Sequence, residues 1–386
     1  MKKAACLLIQ ILDNLAFKKN RIIFHSYPDY SDNSYALFKY IFKKKLKYEI
    51  IWLVNKCSLN EIREKIKEEF GVNIKVYNKC SVRGILSYLT SKYVFFTHGL
   101  YGGVVSGKNK KRINLWHGMQ LKKMGKLDEK DSLNNNFTKQ DFVIATSNLY
   151  KYINSRIFNL KTSRVLITGQ PRNDLLFEDT GFFKKTDINT NIYKKLIIWM
   201  PTYRNDLDGE RSDGLNKKNY ISIFKISELE EMNEFLKRIK VFLLIKIHPL
   251  DIINKLSIKN YSNLLVLKSD YLHEINEQLY PLLGKFDALI TDYSSVYVDF
   301  LILNRPIAFV ITDEDQYSKY RGFVFKNYKK YMPGEFIKTK QSFYKFIQDL
   351  VDEKDKYYLK RSRVNRAFNK YCDDKSCERL IEKLKL

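Results

Sequence analysis

The sequence is short of several things at once. Its 386 residues contain seven prolines and fifteen glycines while 45% are hydrophobic, which excludes a disordered or low-complexity chain. Five cysteines (Cys6, Cys57, Cys80, Cys372, Cys377) are an odd number with no zinc-like pairing, so reduced structural thiols are expected rather than a disulfide framework or a zinc site. No apolar run is long enough to span a bilayer. The first nine residues briefly resemble a signal peptide, but Gln10 and Asp13-Asn14 interrupt the run and no small-residue cleavage site follows.

Acidic residues are also scarce, 43 against 69 lysines and arginines, for a formal net charge of +26. Nucleic acid, anionic lipid headgroups or phosphorylated substrates would all suit such a charge, as would a generally basic, solvated surface. No nucleic-acid-binding motif accompanies it. Lysines cluster in Lys43-Lys44-Lys45, Lys110-Lys111-Arg112 and Lys122-Lys123. Near the start of the chain, Leu8, Ile11, Leu12, Leu15 and Ala16 share one helical face, with Lys18, Lys19 and Arg21 behind. Such a helix either lies on a membrane surface or packs against the first domain, and packing is the expectation.

Short apolar runs alternate with amphipathic stretches, the pattern of an α/β fold. Strand-like runs at 21–24, 50–54, 74–76, 93–97, 113–115, 142–145 and 165–167 build one lobe, and runs at 196–200, 242–247, 264–266, 288–291 and 307–310 build a second. Helices are expected at 34–43, 59–70, 227–240, 294–303 and 341–350, and the polar stretch 174–190 reads as a linker. The expected domains are 1–180, 190–352 and a helical tail, 353–386, that can cross back to brace the first lobe. Ligands of an open parallel sheet bind beyond the carboxyl ends of its strands, so the chemistry belongs there.

Four segments occupy such places. Ala288 to Thr291 runs into Asp292-Tyr293-Ser294-Ser295 and then a helix, whose free N–H groups and two hydroxyls suit a phosphate or diphosphate; an ordinary helix cap would look the same. Asn114-Leu115-Trp116-His117-Gly118 ends a strand on a histidine able to take a proton near neutrality, followed by Lys122 and Lys123, which could hold negative charge. A core histidine beside a packed tryptophan is the alternative. Phe242 to Ile247 ends on His248-Pro249, and Leu196 to Met200 is followed by Pro201-Thr202-Tyr203-Arg204, an arginine suited to bidentate phosphate contact or to a structural role.

In this order the segments resemble the CDP-glycerol glycerophosphotransferase family, which primes and polymerises teichoic acids and some capsule polymers. Gly169-Gln170-Pro171-Arg172-Asn173-Asp174, Asp299-Phe300, Arg305-Pro306, Arg321-Gly322-Phe323, Pro333-Gly334 and the early loop Ser26 to Asn33 carry the resemblance from about residue 20 to 350. One departure stands beside the histidine: Met119-Gln120 replace the family's Thr-Pro. The resemblance implies a GT-B-like fold, two Rossmann-type lobes facing across a cleft, with a C-terminal helical tail. It implies attack of an acceptor hydroxyl on the β-phosphorus of CDP-glycerol or CDP-ribitol, with CMP leaving. His117 is the expected general base, and His248 acts on the diphosphate or departing CMP. Arg204, Asp292, Ser294, Ser295, Lys122, Lys123, Arg172 and Asn173 are the expected substrate-binding residues, with no metal and no cofactor. The implied acceptor is a lipid-linked saccharide or growing polymer. The implied location is peripheral, on an anionic membrane surface at the cytoplasmic face, with no nucleic-acid partner and with homo-oligomerisation left open. The length tilts the expectation modestly toward a primase or short-chain enzyme, with a polymerase left open. A GT-B nucleotide-sugar glycosyltransferase is the alternative.

Overall fold

The computed structural model describes residues 3–128, 139–202, 220–248, 258–320 and 322–386. They form two compact units. The first runs to Gly118 and adds Met124–Phe177 and Lys370–Leu386; the second holds Met119–Lys123 and Glu178–Asn369.

The first unit is built on seven parallel strands, β1 (Arg21–His25), β2 (Glu49–Val54), β3 (Lys75–Asn78), β4 (Tyr93–Phe96), β5 (Lys111–Asn114), β6 (Phe142–Ala145) and β7 (Val165–Ile167). Their order is β3-β2-β1-β4-β5-β6-β7. The central strands are apolar on both faces, as a doubly covered parallel sheet requires: Ile22, Ile23 and Phe24 are wholly buried. Phe24 stacks between Trp52 of β2 and Phe95 of β4 at 5.4 and 5.6 Å. Helices α1 (Lys3–Leu15), α2 (Asp32–Lys43), α3 (Leu59–Phe70) and α4 (Val82–Leu89) precede or link these strands.

The second unit repeats the plan with β8 (Lys195–Trp199), β11 (Val241–Lys246), β12 (Leu264–Leu267), β13 (Ala288–Thr291), β14 (Ile307–Val310) and β15 (Glu335–Ile337), in the order β12-β11-β8-β13-β14-β15 and all parallel. A small hairpin, β9 (Tyr220–Ile221) and β10 (Phe224–Lys225), lies between β8 and β11 in the chain. Trp199, Phe224 and Phe343 meet in the core at 4.9–6.0 Å between ring centroids. In both sheets the strand order reverses at the first strand, between β1 and β4 and between β8 and β13. These are the two topological switch points.

Five expectations change. The stretch 174–190 is not a bare linker: it holds helical turns at Pro171–Phe177 and Phe182–Lys185. Phe182 is buried, and Thr180 and Lys185 both bind Glu277, at 2.9 and 2.8 Å. The tail is not one body. Helix Tyr358–Phe368 belongs to the second unit, where the buried Arg361 grips Asp355 and donates to the Asn304 carbonyl at 3.1 Å. Helix Ser376–Leu384 belongs to the first, its opening N–H groups of Ser376 and Cys377 donating to the Asp174 carboxylate at 2.8 Å each. Burial pushes the Asp174 carboxyl up while these N–H groups oppose the shift. The helix expected at 294–303 is only Val296–Phe300, continued by a 3-10 turn at Leu301–Leu303. Finally, α1 packs through the face opposite its leucines: Ile9 and Asp13 are buried, while Leu8, Ile11, Leu12 and Leu15 are exposed. All five cysteines are free thiols, but Cys57, Cys80 and Cys372 are exposed, so packing does not account for them.

Candidate active site

In the first unit the strand ends converge on His117. Beyond β5 the chain turns on two residues of positive φ, Trp116 at 54° and Gly118 at 145°. At Gly118 a side chain would be strained, so this turn needs glycine. The turn is fastened from three sides. Trp116 donates its N–H to Asn114 Oδ1 at 2.9 Å. The buried Asn33 amide, one residue into α2, donates to the carbonyls of Leu115 and Trp116 at 3.0 and 3.1 Å. Arg172 donates to the His117 carbonyl at 3.2 Å and to the Asp32 carboxylate at 2.9 Å, while its own N–H reaches Asn33 Oδ1 at 3.0 Å.

The imidazole of His117 lies against Trp116 (3.9 Å between centroids) and nearly parallel to the ring of His98 (4.4 Å, 11°). His98 follows β4, so the pair spans neighbouring strand ends beside the switch point. Thr97 serves both rings: its Oγ1 is 3.0 Å from His98 Nδ1, and its carbonyl is 3.5 Å from His117 Nδ1. A carbonyl can only accept, so this long contact favours the tautomer that carries its proton on Nδ1 and leaves Nε2 basic. Burial lowers the pKa of His98; the Asp32 carboxylate opposes and the Arg172 guanidinium reinforces the shift. His98 carries no role in the sequence reading, and Asn33 only that of a possible helix start. Asn33 lay in a noted loop, and His98 had only its place after a strand to mark it.

Arg172 and Asn173, expected to bind substrate, are both buried in the first unit. The guanidinium of Arg172 is engaged by Asp32 and His117. The Asn173 side-chain amide makes no hydrogen bond among the described residues. Gly169 needs its φ of 84° and its lack of a side chain, because Ser376 of the last helix sits against it.

In the second unit, Asp292 and Thr202 meet beyond the switch-point strands β13 and β8. The Asp292 carboxylate accepts from the Thr202 N–H and hydroxyl at 2.9 and 2.8 Å, and Thr291 Oγ1 donates to the Met200 carbonyl at 2.8 Å. Asp292 thus ties the two strand ends together. Tyr293 stacks on Tyr317 at 4.0 Å and neighbours Phe323, itself stacked on Tyr328 at 3.6 Å. Ser294 and Ser295 are half-buried in the turn. Ser294 Oγ accepts only distantly from Val296 N–H, at 3.5 Å. Asp299 accepts from Tyr280 at 2.7 Å inside the core, an orienting role rather than a ligand one.

Lys122 and Lys123 lie on a strand-like segment facing Gly322–Val324, with Leu121 accepting from Val324 N–H at 2.7 Å and Lys123 N–H donating to Gly322 at 3.2 Å. Met119 and Gln120, the family departure, are buried. His248 is half-buried after β11. Two residues before it, Lys246 was overlooked by the sequence reading: burial lowers its pKa to about 8, against the pull of Asp270. Arg204 lies outside the described residues, as do Pro249 and Arg321.

Each unit thus carries a histidine after a strand, and the second carries two hydroxyls after β13; among the described residues no three metal-ligating side chains come together. A family model described as CDP-Glycerol:Poly(glycerophosphate) glycerophosphotransferase matches residues 7–386. The chain belongs to this glycerophosphotransferase family. Among its relatives is a teichoic acid glycerol-phosphate transferase of Staphylococcus aureus, 26% identical over 94% of this chain and 92% of that protein. Another is a teichoic acid glycerol-phosphate primase of Bacillus subtilis, 31% identical over 71% of this chain and 68% of that protein. Several relatives named as polymerases are longer, and this glycerophosphotransferase-family chain spans about half their length. A solved structure of the wall teichoic acid polymerase TagF matches 98% of this chain and 92% of its own, with 24% identity and a TM-score of 0.77. The fold is GT-B-like in that sense, two doubly wound parallel sheets, as the family resemblance implies.

Proposed function

We propose that the protein transfers glycerol-phosphate, or another polyol-phosphate, from a CDP-polyol to a hydroxyl of a lipid-linked saccharide or growing teichoic-acid-like polymer, releasing CMP. The observation that carries this reading is His117: a histidine at a strand end whose turn is fastened by Asn33 and Arg172 and whose Nδ1 faces the Thr97 carbonyl. Nε2 takes the proton of the acceptor hydroxyl, whose oxygen attacks the β-phosphorus. The bond from that phosphorus to the bridging oxygen breaks, CMP leaves with the electron pair, and a phosphodiester forms. His248 stabilises the diphosphate or the departing CMP. Ser294, Ser295 and Arg204 hold the donor's phosphates, with Asp292 keeping the serine turn in place and Lys122 and Lys123 adding donors to substrate. Positive charge from these groups takes the part that metal ions play in other phosphoryl-transfer enzymes. No cofactor is required. The protein works at the cytoplasmic face of the membrane as a peripheral protein.

The test is a donor screen. Purified protein with CDP-glycerol, CDP-ribitol and UDP-sugars should release CMP and not UDP. His117→Ala and His248→Ala should each lower turnover by about 100-fold or more with the fold intact. Release of UDP from a nucleotide sugar would favour a glycosyltransferase instead, and near-normal turnover in folded His117→Ala would remove the assigned base.

A further inference from the structure

The loops that leave β1 and β4 flank the switch point of the first sheet, where ligands of this architecture bind. Each loop brings one ring to that place. Tyr27 stands nearly upright to His98, with centroids 5.6 Å apart and planes at 70°, and His98 in turn lies flat on His117. Tyr27 is thus one ring removed from the proposed base. It is 59% exposed, whereas Tyr30 and Tyr35 of the same stretch are buried and donate to the Glu69 carboxylate.

The backbone beneath Tyr27 is braced on both sides. Its N–H points at Thr97 Oγ1, 3.4 Å away, the same hydroxyl that meets His98 Nδ1 at 3.0 Å. Before it, the His25 carbonyl accepts from Ser34 Oγ at 2.8 Å. After it, the Pro28 carbonyl accepts from the hydroxyls of Ser26 and Ser31 at 2.8 and 2.6 Å, and the Ser31 N–H donates back to Ser26 Oγ at 3.1 Å. The Asp29 carboxylate accepts from the Asn55 N–H and side-chain amide at 2.9 and 3.0 Å, tying the loop to the end of β2. An exposed ring on so fixed a backbone is preorganised, and a ligand laid on it orders little else.

A phosphate-bearing acceptor end calls for cations beside the base. The groups packed on His117 in this unit are of another kind. His98 and Trp116 offer aromatic faces, burial holds the His98 ring toward its neutral form, and the Arg172 guanidinium is engaged by Asp32 and the His117 carbonyl. A pyranose suits such a wall, because its C–H groups pack on an aromatic face while its hydroxyls stay at the edge. A polyol-phosphate end has no ring to lay there.

We infer that Tyr27 is the platform for the sugar ring that carries the attacking hydroxyl, so that this chain reads a saccharide end in preference to a polyol-phosphate end. The inference rests on the transfer reaction proposed above and names the acceptor class and the residue that selects it.

The experiment gives the purified full chain its CDP-polyol donor with two sets of water-soluble acceptors, alkyl glycosides of neutral mono- and disaccharides and an alkyl oligo(glycerol phosphate), and follows CMP release against acceptor concentration. Wild type should prefer a glycoside. Tyr27→Ala should raise the KM for that glycoside about ten-fold, the loss of one ring contact, with the donor KM and the thermal transition as in wild type. Tyr27→Phe and Tyr27→Trp should stay within about two-fold of wild type, since either ring offers a face. Preference of wild type for the oligo(glycerol phosphate), or an unaltered glycoside KM in Tyr27→Ala, would overturn the platform while CMP release stands. A fall in kcat at constant glycoside KM would overturn it too, and leave Tyr27 as a prop for His98. A rise confined to the donor KM would place the ring on the donor instead. Release of UDP from a UDP-sugar in place of CMP would remove the transfer reading alone, and the same glycoside comparison run with that donor would still decide the role of Tyr27.

Discussion

Replacing Arg172 by alanine separates two jobs that an arginine in this motif could do. In the structure its Nη1 donates to Asp32 Oδ1 at 2.9 Å and to the His117 carbonyl at 3.2 Å, with the two side chains of the ion pair only 6% and 15% exposed. A hydrogen bond to a charged partner contributes about 1.5–3 kcal/mol, and the deletion also leaves the Asp32 carboxylate desolvated without its counter-charge. The backbone bond to Asn33 survives the substitution, so the fold should lose about 2–3 kcal/mol rather than collapse. The catalytic loss should be larger in proportion. The carbonyl of His117 is released on one side, and a displacement of the reacting group by about 1 Å can cost about 100-fold. Steady-state CMP release should therefore show kcat down by about 10- to 100-fold with KM for the CDP donor little changed. Arg172→Lys should fall between, since lysine keeps the charge but not the planar fork. A raised donor KM with unchanged kcat would refute this reasoning and place the guanidinium on substrate; no change in either would show that its bonds to Asp32 and His117 do not position the base.

Other expectations are more local. His98→Ala removes the ring that lies flat on His117 and should lower kcat by about five- to ten-fold, the worth of an aromatic stack of about 1 kcal/mol, and should move the acid limb of the pH–rate profile; His98→Phe should retain most of the rate. His25 is buried against the Leu53 carbonyl and its pKa is lowered to about 4 from 6.5, chiefly by burial. The unfolded chain therefore binds the extra proton between those values. Stability should be full above pH 6.5 and fall by about 3 kcal/mol as pH drops to 4. Urea midpoints at pH 7 and 4.5 measure this, and His25→Asn should flatten the dependence. Asp174→Ala removes the carboxylate that caps helix Ser376–Leu384 and should cost about 1–2 kcal/mol. Hydrogen exchange should rise in that helix while CMP release at low temperature persists; unaltered exchange would show that packing alone holds the tail.

Much of the fold is written in local pattern. Runs such as Leu196 to Met200 or Ala288 to Thr291 are apolar because a parallel sheet covered on both faces buries every residue, and that density is visible one residue at a time. The three-residue strand β15, which opens on Glu335 and is only partly buried, lacks that signal and escaped. So did α4, whose exposed Val82 and Leu86 blur its periodicity. For the site, the motifs containing His117, His248 and Asp292 could be read directly because each places a polar residue at the end of an apolar run. His98 and Asn33 could not, since each depends on a neighbour 19 or more residues distant that only strand pairing brings close.

The orientation of α1 shows where the boundary falls. The sequence alone determined that residues 8–16 form an amphipathic helix, because apolar side chains at a 3.6-residue period leave no other regular choice. It did not determine which way the helix faces. Its leucine stripe argued for an inward face, and the structure turns it outward. The deciding interaction is the buried meeting of Asp13 with Lys18, Lys110 and the Gly107 amide. Two of those partners are more than ninety positions away in the chain, so only the folded first unit brings them to the helix.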